Sequence, residues 1–372
     1  MPDRDRGRHA PEPYDVVVVG GGQAGLAVSY HLGRAGVRHL VLEAADRVGS
    51  SWCDRWDSLR LFTPAAYSAL PGLSFPGPGD RYPSGMDVAG YLAGYAEQFD
   101  LPVRTSSPVR ALTRDAGQTA VNRFTLATPS GLVTAPRVVV ATGAFGTPAA
   151  PGFATRLDPD LPALHSHDYR RPSDVPDGVV LVVGAGNTGY QLALELAGHG
   201  RTVHLAHGSV GRTVPQRVAG RDIFWWLTHT RLIITPADSA VGRRLRANDP
   251  VIGTSRTALR SAGVRFRPRA VDGTGRVVSF ADGTSLRPDS ILWATGYRHE
   301  DRWIDIPEAL DDHGALRTTG LDTPVRGLHV LGRPWQRSRG SALLGFVGQD
   351  AHHLAATVSA SQDTARSPRP AV

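Results

Sequence analysis

Lysine is absent from this 372-residue sequence, and all 41 of its basic residues are arginines. Without lysine, no mechanism can proceed through a Schiff base on a lysine side chain. The formal net charge is +7, but the arginines are scattered among 34 acidic residues without a continuous basic run. We therefore expect a solvated, arginine-rich surface and no nucleic-acid partner.

Cysteine is almost absent as well, since Cys53 is the single cysteine. One thiol cannot form an internal disulfide, a dithiol redox pair or a cysteine-rich metal site, and we expect no bound metal. No segment approaches the roughly 18 apolar residues that a membrane span needs. These absences predict a cytoplasmic protein without a membrane partner, and we expect residues 1–14 and 361–372 to be disordered.

Glycine is abundant, with 42 residues, and it marks a pattern that occurs twice. Residues 15–33 and residues 178–198 each contain a valine-rich strand, a glycine turn and a helix with apolar periodicity. Continuous valine runs are typical of strands that are covered on both faces, as in a parallel sheet. Residues 124–143 and 277–296 each form a hairpin pattern followed by a strand that ends in Ala-Thr-Gly. The chain is therefore predicted to be internally duplicated.

The first glycine turn has the spacing of a dinucleotide-binding turn. Gly20 permits the tight turn, Gly22 admits a pyrophosphate, and Gly25 allows close packing of helix against strand. The next strand ends in Glu43, 23 residues beyond Gly20. A carboxylate at that place can accept hydrogen bonds from the hydroxyls of an adenosine ribose, so the segment predicts an adenine dinucleotide.

The second turn repeats this spacing with Gly184, Gly186 and Gly189. The same offset of 23 residues here ends on His207, which is not an acid, and Arg212 follows it. A cationic end to this strand suits a ribose 2′-phosphate, so the second unit is predicted to bind NADPH in preference to NADH. The alternative is an ordinary basic surface loop.

Several further motifs resemble those of the flavin-containing monooxygenases, over nearly the whole chain. They are VGSSWCDRWDSLRLFTP at 48–64, HSHDY at 165–169, GAGNTG at 184–189, WATGY at 293–297 and LGRPWQRSRGSALLGFVGQDA at 331–351. The chain is most similar to short bacterial members and to the plant auxin-forming monooxygenases. The stretch SLRLFTP contains no asparagine, which many members place near the flavin, and the plant branch lacks it too.

The resemblance implies an α/β fold of two Rossmann-type dinucleotide-binding domains, arranged as in glutathione reductase, with the second inserted into the first. The implied parts are the FAD-binding domain at 15–148 and 298–360, a linker at 149–177 and the NADPH-binding domain at 178–297. It also implies the reaction: NADPH reduces FAD, oxygen adds at flavin C4a, and the hydroperoxide transfers one oxygen atom to a small organic substrate.

The resemblance also assigns residues to the two cofactors and to catalysis. Thr63 and Pro64 would lie near the flavin ring, and His165 would couple the domains, although it could equally be a hydrogen-bonded loop histidine. Trp52 could be a core aromatic, and Gln349 could cap a helix. The implied FAD residues are Gly20, Gly22, Gln23, Ala24, Gly25, Glu43, Trp52, Thr142, Gly143, Gly332 and Gln349. The implied NADPH residues are Gly184, Gly186, Asn187, Thr188, Gly189, His207 and Arg212.

Two other functions remain open from the residues alone. The chain could be a flavin reductase that passes electrons to a protein or a quinone, although the missing dithiol argues against a thioredoxin-reductase-type relay. It could also be a non-catalytic FAD-binding regulator, which would not need an intact second glycine turn. The expected partners are a small-molecule substrate and O2, in a monomer or a homodimer. Trp225, Trp226 and Trp335 could wall an apolar substrate pocket or could serve only as packing residues.

Overall fold

Two five-stranded parallel sheets form the centres of the molecule. The computed structural model describes residues 12–115, 123–208, 213–247 and 249–366. Valine runs build the middle of each sheet, and their side chains are buried on both faces. In spatial order, the first sheet consists of Leu328–Val330, Val138–Val140, Val16–Val19, His39–Leu42 and Val103–Arg104. The second consists of Ala163–His165, Ser290–Trp293, Val179–Val183, Thr202–Ala206 and Arg265–Arg267.

The two sheets are equivalent strand for strand, which confirms the predicted duplication. In each, the strand before the glycine turn lies between the strand that follows the turn helix and the Ala-Thr-Gly strand. The outermost strand of the first sheet, Leu328–Val330, comes from the end of the chain and pairs with Val138–Val140. The second unit is therefore inserted into the first, and the predicted α/β fold of two Rossmann-type units is confirmed.

Antiparallel hairpins accompany both parallel sheets, as the sequence predicts. In the first unit a smaller sheet has the order Glu12–Pro13, Gly131–Ala135, Arg123–Thr128, Ala111–Asp115 and Ile304–Asp305. In the second unit the order is Ala270–Thr274, Val277–Phe280 and Ser285–Leu286. Three further two-stranded pairs are Thr213–Val214 with Val251–Ile252, Arg217–Val218 with Arg221–Asp222, and Thr147–Pro148 with Tyr297–Arg298.

Helices cover the faces of both sheets, and two of them begin at the glycine turns. The α-helices in the described part of the chain are Gln23–Arg34, Ser50–Cys53, Gly85–Gln98, Asn187–Gly198, Ile223–His229, Ala240–Ala247, Arg256–Ser261 and Val347–Arg366. Short 3-10 helices are Ala65–Tyr67, Gly152–Arg156, Pro172–Asp174, Leu232–Ile234, Pro307–Ala309 and Arg339–Ala342. None of the described helices has the combined length and hydropathy needed to cross a lipid bilayer.

Three predicted boundaries differ from the structure. Residues 12–13, expected to be disordered, form a strand because their backbone pairs with Val133 and Thr134. The C-terminal helix continues beyond residue 360 to Arg366 instead of ending there. The predicted linker supplies the strand Ala163–His165, which pairs with Ile291–Trp293 at the edge of the second sheet. Residues 1–11 and 367–372 lie outside the described residues.

Candidate functional site

The first glycine turn has the shape that its spacing predicts. Gly20 has a φ of +108°, and a Cβ on it would lie 2.5 Å from the Ala141 carbonyl oxygen. A Cβ on Gly25 would lie 1.9 Å from the Gly20 carbonyl oxygen, so helix and strand meet there without room for a side chain. A Cβ on Gly22 would meet no atom within 4 Å. Two glycines are therefore required by the fold itself, and the third borders free space.

That free space lies at the N-terminus of the helix Gln23–Arg34. No side chain caps this end of the helix, so its first backbone N–H groups remain available to an anion. The Glu43 carboxylate lies beside the same turn, where it accepts hydrogen bonds from the Gly21 and Ala45 N–H groups at 2.6 and 2.9 Å. The turn therefore offers an anion site and an oriented carboxylate within one short segment, as an adenine dinucleotide requires.

The second glycine turn repeats this geometry. Gly184 has a φ of +107°, and a Cβ on it would lie 2.2 Å from the Ala294 carbonyl oxygen. A Cβ on Gly189 would lie 1.9 Å from the Gly184 carbonyl oxygen, whereas one on Gly186 would meet nothing within 4 Å. The helix Asn187–Gly198 again begins without a side-chain cap. Both turns thus fit a dinucleotide pyrophosphate, since each has an open position at its middle glycine and a helix without a side-chain cap.

His207 occupies the position in the second unit that Glu43 occupies in the first. The Gly20 N–H donates to the Leu42 carbonyl at 2.8 Å, and the Gly184 N–H donates to the Ala206 carbonyl at 3.0 Å. Each of these carbonyls belongs to the residue immediately before Glu43 or His207. The structure therefore supports the offset by which the sequence places His207, while Arg212 lies outside the described residues.

An arginine that the sequence analysis does not single out, Arg256, lies beside His207. The Arg256 guanidinium Nη2 lies 3.5 Å from His207 Nε2, and its Cζ lies 4.7 Å from the centre of the Phe266 ring. Its Nε is buried without a hydrogen-bond partner among the described residues. The aromatic ring holds the guanidinium in place by a cation–π contact. This end of the strand is consequently cationic, although the two residues are far apart in the sequence.

The polar residues that open the second helix have different surroundings. The Asn187 Oδ1 accepts a hydrogen bond from the Ile252 N–H at 3.0 Å, which ties the turn to the strand Val251–Ile252. Thr188 is half-buried and follows Asn187 in the first turn of the helix. Asn187 thus has a structural partner, and Thr188 follows the open position at Gly186 by two residues.

The C-terminal segment returns to the first glycine turn. Gly332 has a φ of +86°, and a Cβ on it would lie 2.6 Å from the Ala24 Cβ. The Gln23 amide Nε2 donates to the Ala342 carbonyl at 2.7 Å. Gln349 is exposed in the first turn of the helix Val347–Arg366. Residues near 23 and residues near 340 therefore lie together on one side of the first glycine turn.

The other residues assigned to the first cofactor differ in exposure. Thr142 is exposed and Gly143, with a φ of +77°, follows it at the carboxyl end of the first sheet. Trp52 is half-buried and packs against the first hydrophobic core. The core contact supports the alternative that Trp52 is a packing residue.

Thr63 lies in a buried loop where the two units meet. Its side chain is 4 % exposed, and the Ser68 hydroxyl lies 3.1 Å from Thr63 Oγ1. The Gln216 amide Nε2 donates to the Phe62 carbonyl at 3.0 Å, which links this loop to the second unit. The Phe62 ring stacks on Phe224 with a centroid distance of 6.0 Å. The loop therefore contributes an apolar wall between the units.

His165 ends the edge strand of the second sheet, where the chain crosses between the units. Its Nδ1 accepts from the His167 N–H at 3.0 Å, so Nε2 carries the proton and donates to the Gly296 carbonyl at 3.1 Å. Burial lowers the pKa of His165, although the hydrogen bond to Gly296 opposes this. The ring is therefore neutral near pH 7, and both of its nitrogens are held by backbone groups. Such a residue can position the crossing segment, but in this arrangement it offers no free nitrogen to a substrate.

The crossing itself consists of two paired strands. Thr147–Pro148 leads from the first unit to the second, Tyr297–Arg298 leads back, and the two pair antiparallel. The Arg55 guanidinium donates to the Tyr297 hydroxyl at 3.0 Å, and the Tyr297 ring lies 5.2 Å from the His165 ring. Tyr297 of the crossing thus contacts Arg55 of the first unit and His165 of the second sheet.

No group of three or more His, Cys, Asp or Glu side chains that could hold a metal ion occurs within the described residues. Cys53 is a free, half-buried thiol. The parts of the site described above are the two glycine turns and the apolar wall between them.

Comparison with known proteins identifies the same organisation. Residues 17–218 match the model of the pyridine nucleotide-disulphide oxidoreductase family. A CzcO-like oxidoreductase of Geobacillus kaustophilus is 38% identical over 343 residues, which are 91% of this chain and 97% of that protein. The rice indole-3-pyruvate monooxygenase YUCCA8 is 28% identical, and the match covers 92% of this chain and 90% of that protein.

A solved structure supports the same grouping. The flavin-containing monooxygenase from Stenotrophomonas maltophilia superposes with a TM-score of 0.79 and 26% identity. The match covers 94% of this chain and 99% of that one. The similarity therefore extends over both units.

Proposed function

Because this chain belongs to the pyridine nucleotide-disulphide oxidoreductase family, as a flavin monooxygenase-type oxidoreductase, we propose that it is an NADPH-dependent FAD monooxygenase. In this proposal one oxygen atom of O2 is transferred to a small organic substrate. The observation that carries the proposal is the pair of equivalent glycine turns, one followed by Glu43 and the other by His207 with Arg256.

FAD would be held by the first turn. The space at Gly22 and the uncapped helix suit its pyrophosphate, and Glu43 suits its adenosine ribose. Gly332 and Gln23 lie on the C-terminal side of this turn and would border the same cofactor. When bound, FAD supplies two-electron redox chemistry and reactivity with O2, which no side chain of the protein can supply.

NADPH would be held by the second turn, with its 2′-phosphate near His207 and Arg256. The guanidinium can donate to phosphate oxygens, whereas a carboxylate at this position would repel them. The position of the Arg256 guanidinium beside His207 supports this assignment, and its buried Nε has no hydrogen-bond partner among the residues that the structure describes. Arg212 remains a predicted contributor on the basis of its sequence position.

The protein's own residues would orient the two cofactors and exclude water. Phe62, Tyr67, Phe224 and Phe346 form one apolar cluster with contributions from both units and from the C-terminal segment. An apolar wall between the units limits the access of water to a reactive site. We propose that Thr63 borders this site from the loop, and that His165 positions the crossing segment without taking a proton itself.

Two measurements test the proposed reaction together. Purified protein should be yellow, and substrate should stimulate NADPH consumption and yield a product that carries one labelled oxygen atom from O2. Amines, thioethers, 2-oxo acids and cyclic ketones form a suitable first screen, covering N- and S-oxygenation, oxidative decarboxylation and Baeyer–Villiger reactions. Rapid reduction of a quinone or of ferredoxin without oxygen transfer would instead identify an electron-transfer reductase.

Replacing Glu43 by alanine should weaken FAD binding. The variant lacks the carboxylate that would accept from the ribose and that accepts from the Gly21 and Ala45 N–H groups. A hydrogen bond to a charged group contributes about 1.5–3 kcal/mol, which corresponds to about 10- to 100-fold in the dissociation constant. Fluorescence titration of the apoprotein with FAD measures this change. Glu97→Ala removes an exposed carboxylate from the same domain and should leave FAD affinity unchanged; equal affinities for the two variants would contradict the assignment of Glu43.

Replacing Arg256 by alanine should reduce the preference for NADPH over NADH. The loss of one charge-assisted hydrogen bond should lower the ratio of kcat/KM values by about tenfold, with little effect on NADH. Anaerobic reduction of the flavin by each nucleotide provides the measurement. Arg287→Ala removes an exposed arginine of the same domain and serves as the matched control. An unchanged ratio in Arg256→Ala would place the 2′-phosphate elsewhere.

A further inference from the structure

The loop that carries Thr63 consists of two arms of the chain, residues 61–66 and residues 79–83, and both arms belong to the first unit. Backbone hydrogen bonds of 2.8 and 2.9 Å run from N–H groups of the first arm to carbonyls of the second. Thr63 itself lies in the first arm. A contact that holds either arm therefore also restrains Thr63.

The Asp222 carboxylate of the second unit contacts one arm directly and the other through Gln216. Its Oδ2 accepts from the Tyr82 hydroxyl at 2.6 Å and from the Gln216 amide Nε2 at 2.9 Å. The same Gln216 nitrogen donates to the Phe62 carbonyl at 3.0 Å. Tyr82 lies in the second arm and Phe62 in the first. One carboxylate oxygen thus links both arms of the loop to the second unit.

The other oxygen of Asp222 caps the helix that faces this loop. Oδ1 accepts from the Phe224 N–H at 2.8 Å, which makes Asp222 the N-cap of the helix Ile223–His229. The Ile223 N–H also donates to the Gln216 carbonyl at 2.8 Å. Asp222 and Gln216 are therefore held by the backbone of the second unit before either of them contacts the first.

Apolar packing alone would leave this contact between the units without a fixed direction. The Phe224 ring lies 6.0 Å from the Phe62 ring and 6.4 Å from the Tyr67 ring. Burial of apolar surface is non-directional, whereas a hydrogen bond to a charged acceptor is short and directional. Burial and the hydrogen bond to Asp222 raise the pKa of Tyr82 to about 12, so its hydroxyl stays protonated and remains a donor near pH 7. The hydrogen bonds at Asp222 therefore orient the loop against the helix.

We propose that Asp222 is a positioning residue, which fixes the loop that carries Thr63 against the second unit and thereby sets the separation of the two bound cofactors. The inference rests on the proposed function, in which Thr63 borders the flavin site and the second glycine turn holds NADPH. A displacement of about 1 Å can reduce a rate by about 100-fold. Loss of the hydrogen bonds at Asp222 should therefore slow the reduction of flavin by NADPH. NADPH affinity should stay unchanged, because Asp222 lies outside the second glycine turn.

Hydrogen exchange of the purified protein, followed by mass spectrometry, tests the link between the units without any turnover. Tyr82→Phe removes only the hydroxyl, and Asp222→Asn replaces one carboxylate oxygen by a nitrogen that cannot accept. In both variants the amides of residues 61–66 should exchange at least about tenfold faster, as expected for the loss of a hydrogen bond to a charged group. Tyr169→Phe is the matched control, since it removes a hydrogen bond of 3.0 Å from a tyrosine to the Glu195 carboxylate, outside the loop and the helix. Unchanged exchange of residues 61–66 in Tyr82→Phe and Asp222→Asn, or equal acceleration in Tyr169→Phe, would overturn the proposal.

Anaerobic stopped-flow reduction of the bound flavin tests the positioning role. In Asp222→Asn the limiting rate with NADPH should fall at least about tenfold, while the NADPH concentration that gives half of this rate stays unchanged. Asp238→Asn alters an exposed aspartate of the same unit and should leave both values at the wild-type level. Adding Tyr82→Phe to Asp222→Asn should cause no further loss, because the two residues act through one contact. Tyr82→Phe alone decides the question if Asp222→Asn fails to fold. An unchanged limiting rate, or a change in the half-saturating concentration alone, contradicts the role of Asp222.

Failure of this inference can be told apart from failure of the proposed function. Faster exchange and slower flavin reduction in both variants, in a protein that transfers no oxygen to any substrate, would support the role of Asp222 and contradict the monooxygenase. Wild-type exchange and reduction in both variants, in a protein that does transfer oxygen, would support the monooxygenase and contradict the role of Asp222.

Discussion

Replacing Gly189 by alanine should slow the reduction of bound flavin by NADPH at least about 100-fold. The new Cβ would lie 1.9 Å from the Gly184 carbonyl oxygen, so the helix must move away from the strand that precedes the turn. A displacement of about 1 Å in a positioning element is enough to reduce a rate by about 100-fold. Anaerobic stopped-flow measurement of flavin bleaching with NADPH gives this rate directly.

Two controls separate this local effect from general damage. Dithionite should reduce the flavin of Gly189→Ala at the wild-type rate, because it needs no nucleotide site. Gly198→Ala places a methyl group at the end of the same helix, where no atom lies within 4 Å of the new Cβ, and should leave NADPH reduction unchanged. Wild-type reduction by NADPH in Gly189→Ala would show that the second turn does not hold the reductant.

Replacing Asp301 by asparagine should lower the free energy of unfolding by about 3–5 kcal/mol, as expected when one partner of a buried ion pair is removed. Asp301 is 1% exposed, and its two oxygens accept from Arg333 Nη2 at 2.7 and 2.8 Å. Its Oδ2 also accepts from the Leu316 N–H at 2.9 Å. The substitution leaves the Arg333 charge buried without its counter-ion. Urea unfolding followed by circular dichroism measures the loss.

An exposed pair provides the comparison for Asp301. Asp57 lies 3.2 Å from Arg171, and both side chains are more than half exposed. Asp57→Asn should therefore change the free energy of unfolding by less than about 1 kcal/mol. The double variant Asp301→Asn with Arg333→Gln should recover part of the lost stability, because no buried charge remains. A loss in Asp301→Asn no larger than that in Asp57→Asn would show that the buried pair contributes little.

The duplicated fold could be predicted because its signals are local. A valine run, a glycine turn and an apolar helix lie within about twenty residues in each unit, and each element agrees with the next. The position of His207 could be predicted for the same reason, since an equal number of residues separates each turn from the end of its next strand. Sequence analysis succeeds here because one short segment contains the whole structural requirement.

Other parts could not be predicted because their partners are distant in the sequence. The strand Ala163–His165 has only three residues and no periodicity, and it forms because Ile291–Trp293 offers an unpaired edge. Arg256 approaches His207 through tertiary packing around Phe266. The contact of Arg339 with Asp249 joins two units of the fold. The local sequence around these residues contains no pattern that predicts their contacts.

The insertion of one unit into the other determines when each sheet can be completed during synthesis. All five strands of the second sheet lie between residues 163 and 293, so all of them are synthesised before Leu328–Val330. The first sheet needs Leu328–Val330 to cover the free edge of Val138–Val140. Until then that edge exposes unpaired backbone groups, which are prone to pair with other chains. The strands of the second sheet are therefore all present first, and the nascent first unit keeps an unpaired sheet edge until Leu328–Val330 is made.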